Sequence, residues 1–103
     1  MLVVRAVSDS VREALNNVVK HSGTQECWVT VVGATPEHPV DVDGRTRLMV
    51  TVTDRGKGFD PSVPARGLGV KGSIVARMSE AGGVAEIDSE PGQGTTVELR
   101  WPR

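Results

Sequence analysis

The stretch Leu48-Met49-Val50-Thr51-Val52-Thr53-Asp54-Arg55-Gly56-Lys57-Gly58 decides how the rest of the chain is read. Leu48, Val50 and Val52 alternate with Met49, Thr51 and Thr53, the period-two pattern of a strand with one buried face. The alternation stops at a carboxylate, Asp54, and two glycines follow at 56 and 58. Asp and Gly are turn residues, so a simple turn accounts for the pattern. The same residues also suit a site in which a flat ligand comes close to the backbone, because glycine has no Cβ in the way.

Working outward toward the N-terminus, Gly33 to Thr46 holds Pro36, Pro39 and Asp43-Gly44, which is turn chemistry and predicts a long hairpin connection. Before it, Cys27-Trp28-Val29-Thr30-Val31-Val32 is rich in β-branched residues and reads as the partner strand. From about Val3 to Ser22, Val7, Val11, Ala14, Leu15, Val18 and Val19 recur at helical spacing, and Gly23 suits a left-handed helix cap. Toward the C-terminus, the pattern predicts a helix over Val70 to Glu80 with Ile74, Val75 and Met78 as its apolar side, ended by Gly82-Gly83. Two further strands, Val84 to Asp88 and Thr95 to Trp101, flank a turn through Pro91-Gly92-Gln93-Gly94. Helix, strand, strand, helix, strand, strand predicts an α+β fold. Its form is a two-layer sandwich with helices on one face of a mixed, mainly antiparallel sheet.

The 103 residues fit one small domain, 1–103, with a thin core. Twelve Lys and Arg against thirteen Asp and Glu leave a formal charge of −1, without the basic excess of a nucleic-acid-binding domain. No apolar run approaches the roughly 20 residues of a membrane helix, and Met1 leads into a mixed segment unlike a signal peptide. The single cysteine, Cys27, excludes an intrachain disulfide and is expected to be a buried, inert thiol.

Three further clusters could carry chemistry. Glu13, Asn17, Lys20 and His21 form a polar stripe beside the apolar one on the first helix. A solvated face accounts for such a stripe. Yet Asn16-Asn17 is a poor choice in mid-helix, since the side chains compete for backbone hydrogen bonds. Gly67-Leu68-Gly69-Val70-Lys71-Gly72 matches the GxGxxG spacing of dinucleotide-binding folds, and Glu90 lies at a suitable distance. That identity fails, because the pattern must follow a strand directly, and Pro61 and Pro64 rule one out. What survives is a hinge before a helix, or a loop whose N–H groups face phosphate oxygens. Gly92-Gln93-Gly94-Thr95 reads on its own as a hairpin turn.

Taken together and in order, the clusters resemble the ATP-binding (HATPase_c, Bergerat-fold) domains of bacterial histidine kinases. These are kin to DNA gyrase, the Hsp90 chaperone and MutL. Arg12 to Ser22, REALNNVVKHS, is similar to the N box of that family, and Asp54 to Gly58, DRGKG, to its first glycine box. Gly67 to Gly72 is similar to the second glycine box and Gly92 to Thr95 to the third. The Lys-His of the N box, the short segment between the first two glycine boxes and Gly69 to Gly83, GVKGSIVARMSEAGG, look most like the subfamily paired with LuxR-type response regulators.

The resemblance implies a set of roles. Asp54 would accept a hydrogen bond from the exocyclic amine of adenine, where guanine would present a carbonyl and be repelled. Gly56 and Gly58 would let the backbone approach the purine, and Thr95 would help fix it. Asn17 would place its amide oxygen on Mg²⁺. Lys20 and His21 would face the phosphates, and Gly67, Gly69, Lys71 and Gly72 would shape the phosphate loop. Glu13 would sit near the γ-phosphate and help deprotonate or orient an attacking imidazole.

The departures are as informative. The first strand of full-length domains is expected to be absent or shortened, and the 33–46 connection is longer than the family needs. The short lid from Phe59 to Arg66 lacks a phenylalanine box and is expected to be mobile. No phospho-acceptor motif exists, since His38 sits in a loop and His21 in the N box. The implied activity is therefore transfer of the γ-phosphoryl group of Mg²⁺–ATP to a histidine on a separate dimerisation domain, and onward to a response regulator. The chain alone would not label itself. The expected setting is cytoplasmic, without membrane contact or nucleic acid, in a parent kinase that can itself be membrane-anchored. Two alternatives stay open: an anti-sigma-factor-type serine kinase of the same fold, and a nucleotide-binding or interaction module without transfer activity.

Overall fold

Ala6, Ser10, Ala14 and Val18 recur every fourth residue and are buried along one line of helix α1 (Leu2–His21). Val7, Val11 and Leu15 pack beside that line, while Val19, expected on the apolar side, is 79% exposed. The computed structural model describes residues 2–21, 23, 26–41, 44–58 and 67–102, with the backbone alone at 21 and 67–72. After α1 come β1 (Cys27–Gly33), β2 (Leu48–Asp54), α2 (Gly67–Glu80), β3 (Val84–Glu90) and β4 (Gly94–Trp101).

The four strands form one sheet in the order β1-β2-β4-β3, and every pairing is antiparallel. β1 and β2 make the expected hairpin, closed at its mouth by Ala34 N–H donating to the Arg47 carbonyl at 2.8 Å. Within the connection, Asp41 receives both the backbone N–H and the hydroxyl of Thr46. β3 and β4 make the second hairpin, and β2 pairs with β4 to join the two.

The register assigns each strand residue a face. Val50 pairs with Leu99 and Val52 with Val97 on β2 and β4. Ala85 and Ile87 of β3 extend the same rows. This face meets Ile74 and Met78 of α2 and Ala6 and Ala14 of α1, making the core. Ile74, Met78 and Leu99 are essentially inaccessible, and burying each side chain stabilises the fold by about 1.5–3 kcal/mol. Val75, read as part of the apolar side of α2, lies at its edge and is 37% exposed.

α2 begins at Gly67, three residues before the helical pattern predicts, so the glycine-rich segment forms its first turns. Its end follows the sequence closely. Gly82 takes φ +83°, its N–H reaches the Ser79 carbonyl, and Gly83 N–H reaches the Met78 carbonyl at 2.8 Å. These are the two bonds of a Schellman cap. The predicted lid, Phe59 to Arg66, lies outside the described residues.

Candidate functional site

Asp54 ends β2 on the helix-facing side of the sheet and is 4% exposed. A buried carboxylate needs hydrogen-bond partners, and the turn that follows provides one. The N–H of Gly56 donates to Oδ1 of Asp54 at 2.8 Å. The second oxygen, Oδ2, has no donor among the described residues. Asp54 thus holds its own turn with one oxygen, and among the described residues the other is left as an acceptor.

At two of the glycines around it, Gly58 and Gly94, nothing larger fits. Gly58 has φ +62°, and a Cβ on it would lie 2.1 Å from the carbonyl oxygen of Glu90 and 2.9 Å from that of Gly94. Gly94 has φ +84°, and a Cβ there would lie 2.1 Å from the carbonyl oxygen of Asp54. Gly92 N–H donates to the Lys57 carbonyl at 2.6 Å. The turn after β2 and the turn between β3 and β4 therefore lie backbone to backbone, which explains why glycines recur in both segments.

Thr95 pairs in register with Asp54 and is 8% exposed. Its hydroxyl lies 2.8 Å from that of Ser89, and the Ser89 hydroxyl also donates to the Gly94 carbonyl at 3.0 Å. With its one hydrogen given to Gly94, Ser89 accepts from Thr95, which fixes the Thr95 hydroxyl. Ser89 is a residue the sequence did not single out, since one serine near a strand end carries no pattern of its own. Around this end of the sheet lies an open cleft of 410 Å³, lined by Asp54, Thr95 and Ser89 and, from the other face, by Thr53, Asp88 and Thr96. That volume is in the range of small-molecule sites.

The helix stripe is a second group. Glu13 and Asn17 are half-buried on α1, and Lys20 is exposed. His21 is the last residue of α1, and Gly67, Gly69, Lys71 and Gly72 lie on the opening turns of α2; their side chains lie outside the described residues. Glu13 is tied to α2, where Arg77 Nη1 lies 3.3 Å from its Oε2. Asp54, Gly56, Gly58 and Thr95 are thus brought together at one end of the sheet. Glu13, Asn17 and Lys20 are held together by one helix. Among the described residues no cluster of three or more His, Cys, Asp or Glu could cage a metal ion. Cys27 is half-buried at the start of the edge strand, opposite Asp54, rather than buried as expected.

Helices on one face of an antiparallel sheet, with a buried carboxylate and close-packed glycines at the sheet's end, make this a two-layer α+β sandwich with a candidate ligand site at the end of the sheet. The chain belongs to the family of histidine kinase-, DNA gyrase B- and HSP90-like ATPases, whose model matches residues 3–103. It is 39% identical over 93 residues to the sensor histidine kinase LiaS of Bacillus subtilis, covering 89% of this chain and 23% of LiaS. It is 33% identical over 94 residues to the sensor histidine kinase YhcY of the same organism, covering 89% of this chain and 22% of YhcY. The chain therefore spans less than a quarter of these relatives. The fold is similar to that of the histidine kinase domain of the Erythrobacter litoralis blue-light activated histidine kinase, with a TM-score of 0.64 and 20% identity. That match covers 94% of this chain and 46% of the other.

Proposed function

We propose that this chain is the ATP-binding catalytic domain of a sensor histidine kinase, supplying the γ-phosphoryl group to a histidine on a separate dimerisation domain. The observation that carries the reading is Asp54. It is a buried carboxylate with one oxygen held by Gly56 and the other open to a donor, framed by Gly58, Gly94 and the oriented Thr95 hydroxyl. The exocyclic amine of adenine is a donor suited to that oxygen. In this reading Gly56 and Gly58 lie under the purine. Lys20 and His21, with Gly67, Gly69, Lys71 and Gly72, face the phosphates. The relatives named as sensor histidine kinases support the assignment of parent protein. Lys20-His21 and the short 59–66 segment support the subfamily paired with LuxR-type response regulators.

Magnesium fits the residues present. It keeps several waters and is usually bound through one or two protein oxygens plus substrate phosphates, not by an all-protein cage. One amide oxygen, that of half-buried Asn17, suits that need, and the bound ion would neutralise phosphate charge. The chain's own work is positioning and charge stabilisation. Glu13 orients the attacking imidazole and receives its proton.

The test is incubation with γ-labelled ATP, with and without an isolated dimerisation domain bearing the acceptor histidine. Label is expected on the added domain, in acid-labile form, and not on this chain. Strong self-labelling, or label on a serine of an anti-anti-sigma partner instead, would overturn the reading. The domain is proposed to work in the cytoplasm, and among the described residues no helix is long and apolar enough to cross a membrane.

A further inference from the structure

Arg77 lies outside the N box and the three glycine boxes, yet its guanidinium bonds to two points of the fold, one on each helix. Nη1 lies 3.3 Å from Oε2 of Glu13 on α1, and Nη2 donates to the hydroxyl of Ser73 at 3.2 Å. Ser73 is one turn earlier on α2 and directly follows Gly72. The neighbouring Met78 is buried in the core, which sets the rotation of this turn of α2 against α1. The guanidinium is a rigid fork, so bonds to two partners leave it little freedom. Glu13 and Arg77 together wall a groove of 270 Å³ between the helices, with Asp9, Arg12 and Asn16.

We infer that Arg77 is a positioning residue for phosphoryl transfer, acting through Glu13; this rests on the function proposed above. Arg77 engages one oxygen of Glu13 and leaves the other for the proton. As the imidazole nitrogen bonds to the γ-phosphorus, the bond from phosphorus to the β,γ-bridging oxygen breaks. ADP leaves with that electron pair, and the imidazole N–H proton passes to Glu13. A carboxylate free to swing into solvent would meet that proton less often. Both partners are 30% exposed, and ion pairs so exposed contribute little to folding. The pair's main effect is therefore on geometry, and α2 carries that geometry from the glycine-rich segment to Glu13.

The experiment compares Arg77→Ala, Arg77→Met, Arg77→Lys, Glu13→Gln and the double variant Arg77→Ala/Glu13→Gln of this chain. Each is assayed for transfer to the added acceptor domain and for thermal stability. Arg77→Met keeps the apolar stem and guards against loss of packing. Expected are a kcat roughly tenfold lower for Arg77→Ala and Arg77→Met, an ATP KM within about twofold of wild type, and partial recovery in Arg77→Lys. The double variant is expected to be no slower than Glu13→Gln alone, within about twofold. Losses that multiply in the double variant, or a change in KM alone, would overturn the inference. Wild-type transfer by both Arg77→Ala and Arg77→Met would sink it while leaving the proposed function standing. A wild-type chain that transfers nothing would sink both.

Discussion

Asp54 shows how much one side chain can do with two oxygens. Oδ1 is committed to the N–H of Gly56, and an asparagine could keep that bond through its carbonyl. Its NH₂ group would then occupy the place of Oδ2 and point a donor at the donor of adenine. Asp54→Asn is therefore expected to fold normally and to lose about 10- to 100-fold in ATP affinity, as for a hydrogen bond to a charged group. Calorimetry reads the affinity, and an unchanged value would remove Asp54 from the adenine site. Gly94 makes the opposite prediction. An added Cβ would sit 2.1 Å from the Asp54 carbonyl oxygen at φ +84°. Strain and clash together should cost at least about 2 kcal/mol. At about 4–8 °C per kcal/mol for a domain of this size, Gly94→Ala should melt roughly 10 °C below wild type even without nucleotide. A melting point equal to wild type would contradict the close packing of the two turns.

Among the elements, β1 is the least protected. Val29 and Val31 pair with Val52 and Val50 and so lie on the helix-facing side, yet they are 47% and 66% exposed. The two helices cover β2, β4 and β3 and leave this edge open. No charged residue guards Cys27–Gly33, and unguarded apolar edges favour association with other chains. Val31→Lys should leave the melting temperature nearly unchanged, within about 0.5 kcal/mol of stability, and reduce light scattering at high concentration. Equal scattering by the two proteins would show that the edge is not the adhesive element. Elements of this kind were legible in the sequence because their cause is local. Alternation marks β2, four-residue spacing marks α1, and Gly82-Gly83 marks the end of α2. Their layering, with helices on one face of a mainly antiparallel sheet, follows from the element order, and both hairpins are as expected. The contacts between hairpins and between helices were not legible. Pairing of β2 with β4, the clamp of Gly94 on Asp54 and the bond of Arg77 to Glu13 join residues far apart in the chain. No local period records such neighbours. The site divides in the same way. Asp54 and its glycines stand out as an interrupted strand, whereas Ser89 and Arg77 acquire a role only from what packs beside them. The start of α2 at Gly67 differs from the sequence reading because three glycines within six residues leave no helical apolar pattern to see.

At the scale of the whole molecule, the proposed ligand connects the two layers. Asp54 and Thr95 belong to the sheet and would hold the adenine, whereas Glu13, Asn17 and Lys20 belong to α1 and would meet the phosphates. A ligand that binds only the folded chain stabilises it by about 2.7 kcal/mol when present at about 100 times its Kd. For a domain of this size that is roughly 10–20 °C in melting temperature. Mg²⁺–ATP should therefore raise the melting point by about that much, and ADP without metal should raise it less. Asn17→Ala should reduce the Mg²⁺–ATP shift to about that of metal-free ATP and leave the ADP shift intact. Asp54→Asn should reduce all of these shifts together, because it acts on the adenine they share. Differential scanning fluorimetry across the three proteins and the three ligand conditions separates the two groups. If Asn17→Ala abolished the metal-free ADP shift as fully as Asp54→Asn, the division of the site between helix and sheet would be wrong.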